Sequence, residues 1–453
     1  MINKQRLLLV LVFIASIAHA QELNTSPFSR YGLGEINNIQ SSHYLGWSNC
    51  AVAFSDPQYI NISNPASYAG LIKNNPIFDV SISGKIAAYN SMYNEVEKSS
   101  FGTNIGLNNM FLGLPMSKNW GVVFGVIPYS SVGYSVSSKT ILDTSTITSS
   151  FSGDGSVNKI FLGNGFNLLN KGDSVKLSIG FNTSYMFGNV NHYSSVIYND
   201  INAYNSRIQY TSSNSGLHFN TGFQFYKRFI TVKKNKYFLR LGASYDLKST
   251  INTNNDFFAY TFLYNLGIQE QALDTIENIE NLSGSTTIPE KVSFGLGFGK
   301  NKNDQRRWDI GIQYSFTDWS KFKEIRNGIN FKSLPMERSS TISVGYRLTP
   351  NLDWASNSKS ALSKFSYLIG MHYTNSAILL ENLNLINIGI NFGVSIPLIS
   401  SRSLSRINFS GEIGKLGELG VNNIEENYLK FTIGFSMGPD TRYDRWFRKR
   451  KYD

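Results

Sequence analysis

Long segments in which apolar residues alternate with small or polar ones dominate the chain. In residues 386–398 every even-numbered position is Ile, Phe, Val or Leu, and every odd-numbered position is Asn, Gly, Ser or Pro. Successive side chains of a strand point to opposite faces, so this alternation indicates a β-strand and not a helix. Residues 177–188, 237–246 and 429–437 follow the same rule.

Fourteen segments carry this signal, and most exceed the length of an ordinary globular strand, about five or six residues. They are 77–90, 100–114, 119–137, 156–169, 174–190, 207–229, 235–248, 290–300, 306–319, 337–348, 363–374, 384–398, 405–415 and 427–437. A strand that crosses a bilayer at a tilt needs about nine to eleven residues. The polar faces of Gly, Ser and Asn suit a wet or plugged lumen, whereas a β-sandwich needs an apolar inner face. We therefore predict an all-β fold, a transmembrane antiparallel β-barrel of about 14 strands.

The connections between these segments alternate in length. Most of those after even-numbered strands are short, and the longest of those after odd-numbered strands is residues 249–289. In bacterial barrels short turns face the periplasm and long loops face the exterior, and an even strand number returns the chain to its starting side. We therefore expect the protein to lie in the outer membrane of a Gram-negative bacterium, with both termini of the mature chain in the periplasm.

The N-terminus predicts export from the cytoplasm. Residues 1–20 combine Lys4 and Arg6 with an apolar run and end in Ala18-His19-Ala20, which is typical of a cleaved signal peptide. The run is shorter than the roughly 20 residues of a membrane-spanning helix. We predict a plug or hatch over residues 21–76, a barrel over 77–438 and a basic periplasmic tail over 439–453. A periplasmic tail or small accessory fold is the alternative for residues 21–76.

The amino-acid composition and the sequence motifs limit the kinds of functional site that we expect. The chain has 42 Lys and Arg against 31 Asp and Glu, but only one Cys and five His. It lacks the His-Glu-x-x-His, phosphate-loop and Gly-x-Ser-x-Gly motifs that mark metal, nucleotide and lipase sites. We therefore expect no cofactor, no metal and no enzymatic activity. Export to the outer membrane also argues against nucleic-acid binding, despite the basic charge.

Several short motifs resemble one family. They are Gly46 to Ala53, Asp56-Pro57 and Asn64-Pro65-Ala66 before the first strand, then Pro289-Glu290, Trp308-Asp309, Trp319-Ser320 with Phe322, and residues 339–346. With these motifs the chain is similar to the outer-membrane long-chain fatty acid transporter family, the FadL-like barrels. The resemblance implies a fourteen-stranded barrel with an N-terminal hatch. It also implies two roles, because the family includes both transporters and barrel subunits of secretion machines such as the type IX system.

The two roles give two functional hypotheses. The first is passive, selective uptake of hydrophobic, fatty-acid-like small molecules through a gated lumen. The alternative is a non-transporting subunit of an outer-membrane protein assembly, export or secretion machine. The expected partners are outer-membrane lipids, together with a hydrophobic ligand in the first case and protein partners in the second.

Three groups of residues are the candidate sites. The plug or gate is predicted at Asn64, Pro65 and Ala66. A ligand-access surface is predicted at Phe257, Phe258 and Phe262, because an apolar cluster in a water-exposed loop is unusual; packing on neighbouring loops or on a partner protein is the alternative. A partner contact is predicted at Arg445, Trp446 and Phe447 in the tail, where an anionic lipid surface is the alternative binding partner.

Overall fold

A computed structural model describes most of the chain. The described residues are 26–93, 96–142, 145–172, 174–200, 203–230, 235–265, 269–302, 306–331, 336–352, 360–380, 383–398, 405–420 and 424–438. The predicted signal peptide and the predicted tail, with Arg445, Trp446 and Phe447, lie outside these ranges.

Strands make up almost all of the described structure. They are β1 (Glu35–Ile36), β2 (Ile77–Tyr93), β3 (Val96–Pro115), β4 (Trp120–Leu142), β5 (Ser145–Asn170), β6 (Val175–Tyr198), β7 (Asn205–Ile230), β8 (Asn235–Asp246), β9 (Ser249–Asn265), β10 (Gln269–Ile288), β11 (Lys291–Lys302), β12 (Arg306–Asp318), β13 (Lys323–Arg326), β14 (Ile329–Phe331), β15 (Arg338–Thr349), β16 (Ser366–Leu380), β17 (Leu383–Pro397), β18 (Arg406–Leu416) and β19 (Ile424–Met437). The described helices are an α-helix at Ser42–Leu45 and 3₁₀-helices at Pro27–Arg30, Pro65–Gly70, Trp319–Lys321 and Ala361–Lys364. Across the described ranges, no helix has both the length and the apolar character needed to cross a membrane.

Within the described residues, fourteen of these strands close into an antiparallel barrel: β2 to β8, β11, β12 and β15 to β19. The ring closes where β19 pairs with β2, from Ile424 opposite Ser91 to Met437 opposite Phe78. The apolar face of each strand points outward, since Ile390 is 56% exposed whereas its neighbour Asn391 is 3% exposed. The prediction of an all-β, fourteen-stranded barrel is confirmed.

The structure corrects the prediction of a loop at residues 249–289. The sequence pattern predicts a loop there, but β9 and β10 form a hairpin that continues the barrel wall, with β9 paired to residues 205–215 of β7. The pairing satisfies the backbone and gives the aromatic side chains neighbours. Phe262 is fully buried under the Arg207 guanidinium, and the ring of Phe258 stacks on that of Tyr260 at 4.9 Å.

Residues 26–76, which we call the hatch, lie inside the ring of strands. Trp47 and Tyr44 in the hatch are completely buried. The hatch backbone touches the wall at glycines: a Cβ at Gly242 of β8 would collide with the carbonyl of Val52, and one at Gly180 of β6 with Pro65. Glycine at these positions lets two backbones approach closely. The first barrel strand begins directly after the hatch, at Ile77.

We predict that Gly242→Val loosens the hatch. The new side chain would overlap the backbone of Val52, and overpacking of this kind costs about 1–3 kcal/mol. Limited proteolysis should cleave the variant faster within residues 26–76. The matched control is Gly106→Val on β3, because no described atom lies within 4 Å of the Cβ position there. Equal cleavage of the two variants would contradict the close fit.

Candidate functional site in the lumen

A cavity of about 660 Å³ lies between the hatch and the barrel wall. The hatch lines it with apolar side chains such as Ile39, Leu45 and Ile62, and also with polar ones such as Asn38 and Asn49. The wall lines it with polar and charged groups: Lys85, Lys159, Asp246, Lys291, Glu412 and Lys430. The cavity therefore has a mixed lining of apolar, polar and charged side chains.

The cavity reaches a gap in the wall between β3 and β4. These strands pair only from Met110 opposite Val126 to Pro115 opposite Gly121, although each continues well beyond the pairing. Bulges at Asn108 in β3 and at Tyr129 in β4 mark the point where they separate. Leu107, Ile127 and Pro128 line the cavity at this point. We call this separation, between residues 97–109 of β3 and residues 127–142 of β4, the wall gap.

A buried ion cluster fixes the hatch at the opposite side of the lumen. The Nη1 of Arg347 donates to Asp56 of the hatch at 2.9 Å, and its Nη2 donates to Asp309 at 2.8 Å. Asp309 also accepts from Arg240 at 2.9 Å and from Arg307 at 2.8 Å. Arg347 and both aspartates are at least nine-tenths buried. We call these five residues the ion cluster.

His43 completes the contact between hatch and ion cluster. Its Nε2 accepts a hydrogen bond from Nη1 of Arg347 at 3.1 Å, and its ring stacks on that of Tyr59 with the centroids 3.7 Å apart. Burial, followed by the charge of Arg347, holds the pKa of His43 well below its usual value. Burial would raise the pKa of Asp56, but the guanidinium groups of Arg347 and Arg307 hold it below its usual range. At neutral pH Asp56 is thus a carboxylate, and the imidazole of His43 beside the ion cluster is uncharged.

The structure places the predicted gate residues against the wall. Asn64 caps the 3₁₀-helix Pro65–Gly70 by accepting from the backbone N–H of Ala66 at 3.1 Å. Its Nδ2 donates to the carbonyl of Phe223 at 2.9 Å and to that of Val52 at 2.8 Å. Asn64 therefore joins the hatch to β7, while Pro65 and Ala66 are buried. A gating role for these residues stays a prediction.

Phe257, Phe258 and Phe262 lie on β9 in the outer hairpin, away from the gate residues. Phe257 and Phe258 are half-buried, and only Phe262 is fully enclosed. The structure does not bring these three residues together with Asn64. Their role in ligand access also stays a prediction.

The ion cluster is not among the sites predicted from the sequence. Asp56 and Arg347 are separated by 291 positions, so only the closed barrel brings them together. One available signal was a charged residue at an inward position of a strand, since Arg240, Asp309 and Arg347 interrupt faces composed mainly of small and polar residues.

All of residues 1–453 match the sequence profile of a family described as BamG. The chain belongs to the BamG family. No curated protein sequence matches the chain.

Solved structures share the fold of this BamG family member. A FadL homologue from Pseudomonas aeruginosa superposes with a TM-score of 0.54 at 11% identity, covering 89% of this chain and 99% of the homologue. The Ralstonia pickettii toluene transporter TbuX gives 0.52 at 10% identity, covering 89% and 100%. The P. putida toluene transporter TodX gives 0.50 at 13% identity, covering 89% and 96%. The chain therefore has the fold of the FadL-like β-barrels, and the resemblance drawn from its motifs is confirmed.

We predict that Arg347→Met releases the hatch. The change leaves Asp56 buried with only Arg307, at 3.9 Å, in ion-pair reach among the described residues, and breaking a buried pair costs of the order of 3 kcal/mol. Conductance in planar bilayers should rise above that of the unmodified protein. The matched control is Arg338→Met on the same strand, because Arg338 is 70% exposed and 3.9 Å from Asp318. Equal conductance in both variants would show that the ion cluster does not hold the hatch.

We predict that acid loosens the hatch. The seated His43 has a lowered pKa, whereas a released one has its ordinary value of about 6.5. As the pH falls below that value the released hatch takes up a proton that the seated hatch does not, which favours release by up to about 1.4 kcal/mol per pH unit. Asp56 acts in the same direction only at lower pH, because its stabilisation is lost as pH falls through its lowered pKa.

Amide hydrogen exchange measures this acid-induced loosening of the hatch. It is recorded for residues 26–76 at about pH 7.5 and about pH 5.5 and corrected for the intrinsic exchange rate at each pH. Exchange should rise at the lower pH in the unmodified protein and change less in His43→Gln. An identical pH response in the two proteins would assign the effect to other groups.

Proposed function

We propose that this chain is a non-transporting barrel subunit of an outer-membrane machine that assembles proteins, with the hatch as a permanent plug. The observation that carries the proposal is the ion cluster, because Asp56 of the hatch is paired with Arg347 of the wall at 2.9 Å inside the protein. Withdrawing Asp56 would leave the three arginines of the ion cluster with Asp309 alone, and a buried charge left without its partner is strongly destabilising.

Family membership supports assembly over export. The match to the BamG family spans residues 1–453, and the family name favours the assembly alternative over uptake. The mixed lining of the cavity supports the same proposal, since pockets for small apolar ligands are lined predominantly by hydrophobic and aromatic side chains. Here Lys85, Lys159 and Glu412 line the wall.

Passive uptake of a hydrophobic small molecule is the second candidate, and the wall gap favours it. The cavity extends to Leu107 and Ile127, where the strands separate, and includes the apolar Ile36 of the hatch. This arrangement provides a path from the cavity to the outer surface of the barrel. The toluene transporters TbuX and TodX share the fold.

A reversible disulfide separates the two candidates. Ile36 of β1 lies opposite Ser130 of β4, so Ile36→Cys with Ser130→Cys would fasten the hatch to the wall under oxidising conditions. Cys50 would not compete, because burial raises the pKa of its thiol to about 12 and keeps it protonated. The single-cysteine variants are the matched controls.

We expect cells with the fastened hatch to contain normal amounts of other outer-membrane barrels, and cells depleted of the protein to lose them. Uptake of a fluorescent hydrophobic probe should not respond to oxidation or reduction. If oxidation instead stops uptake and a reductant restores it, while depletion leaves other barrels unchanged, the protein is a transporter and the assembly proposal is wrong.

A further inference from the structure

One strand edge in the barrel wall is left open. β2 pairs with β3 along its whole length, from Ile77 opposite Gly113 to Tyr93 opposite Val96. On the other side, β4 pairs only with residues 110–115 of β3. In the part of the chain that the structure describes, no strand pairs with the β4-facing edge of residues 97–109.

Part of this edge lies at the level of the bilayer. Thr103 is opposite Ile86 of β2, and Ile86 is opposite Leu429 of β19. Ile86 and Leu429 point outward, 45% and 42% exposed, within the apolar belt of the barrel. Residues 103–107 of β3 therefore face the hydrocarbon region.

The hatch contacts the other side of the wall gap, the edge of β4 that faces β3. β1 pairs with β4, with Glu35 opposite Ser131 and Ile36 opposite Ser130. The N–H of Asn37 donates to the carbonyl of Tyr129 at 3.0 Å, and Ser29 Oγ accepts from the N–H of Gly133 at 3.0 Å. The hatch thus pairs with part of the β4 edge, residues 129–133, by adding a short strand to it.

Backbone groups that face hydrocarbon need hydrogen-bond partners, because each unsatisfied one costs several kcal/mol. The side chains along the open edge specify what could pair with it. Phe101, Ile105 and Leu107 point outward and are 80%, 55% and 40% exposed. Gly102, Asn104 and Gly106 alternate with them and are less exposed. A strand added here must be apolar outward and small or polar inward, which is the pattern of a transmembrane β-strand.

We propose that the open edge of β3 binds a transmembrane β-strand of a second outer-membrane barrel protein by strand addition. The proposal rests on the proposed function, for which it names the class of partner and the binding surface. The added strand would satisfy the backbone of residues 97–107 and cover Phe101, the most exposed large apolar side chain among the described residues.

Site-specific photocrosslinking in living cells tests the proposal. A photoreactive phenylalanine analogue replaces Phe101 in one strain and Ile105 in another. The matched control is Ile390 on β17, which is 56% exposed but has paired strands on both sides. Heat-dependent gel mobility of each variant reports that the barrel has folded.

We expect both β3 positions to crosslink to one strand of one outer-membrane barrel protein. The two crosslinked sites on that strand should be four residues apart, which matches the spacing of Phe101 and Ile105. The yield should be at least tenfold above that at Ile390. Equal yields at all three positions, adducts with lipid only, or crosslinks scattered over loops of the partner would overturn the proposal.

The outcomes remain separable from those of the proposed function. If depletion lowers other outer-membrane barrels but Phe101 and Ile105 give only lipid adducts, the assembly role stands and the docking edge is wrong. If a single partner strand is captured while depletion leaves other barrels unchanged, strand addition stands and the assembly role is wrong.

Discussion

The rest of the structure depends on one constraint: every backbone N–H and C=O at bilayer depth needs a hydrogen-bond partner. Closure of β19 onto β2 meets this requirement for most of the wall. The wall gap is the place where closure is incomplete, because bulges at Asn108 and Tyr129 turn β3 and β4 away from each other. The hatch then contributes to the wall, since its β1 supplies a neighbour for Ser130 and Ser131 of β4.

The hatch and the wall are matched in two physical ways. Glycines such as Gly180 and Gly242 remove the side chains that would hold the hatch backbone away from the strands. The ion cluster then fixes one point of the hatch to the wall, because the carboxylate of Asp56 accepts from the guanidinium of Arg347 at 2.9 Å. Three arginines against two aspartates leave a net positive charge, which makes the uncharged state of His43 important to the fit.

Alternation in the sequence predicts the membrane-embedded part of the fold well. β2 begins at Ile77 and β19 ends at Met437, the bounds that the pattern predicts. The pattern underestimates the length of the strands beyond the membrane. For example, β5 begins at Ser145, although alternation starts only near residue 156. Residues there are rich in Ser and Thr and lack an apolar face, so pairing with neighbouring strands, rather than hydrophobicity, keeps them extended. Alternation also identifies Arg347 as inward-facing but not as the partner of Asp56, because contacts across the lumen leave no periodic signal.

The same features weigh differently on the two candidate functions. A transporter needs a plug that yields when a ligand binds, and the free energy for that must come from ligand contacts stronger in the open state than in the closed one. A small apolar molecule makes no hydrogen bond that could replace those of Asp56, Asp309 and Arg347, so it offers little to offset the loss of the ion cluster. A barrel that acts through its outer wall has no such requirement. In such a barrel, a hatch that stays seated would preserve the shape of the wall gap, and with it the position of the open edge of β3.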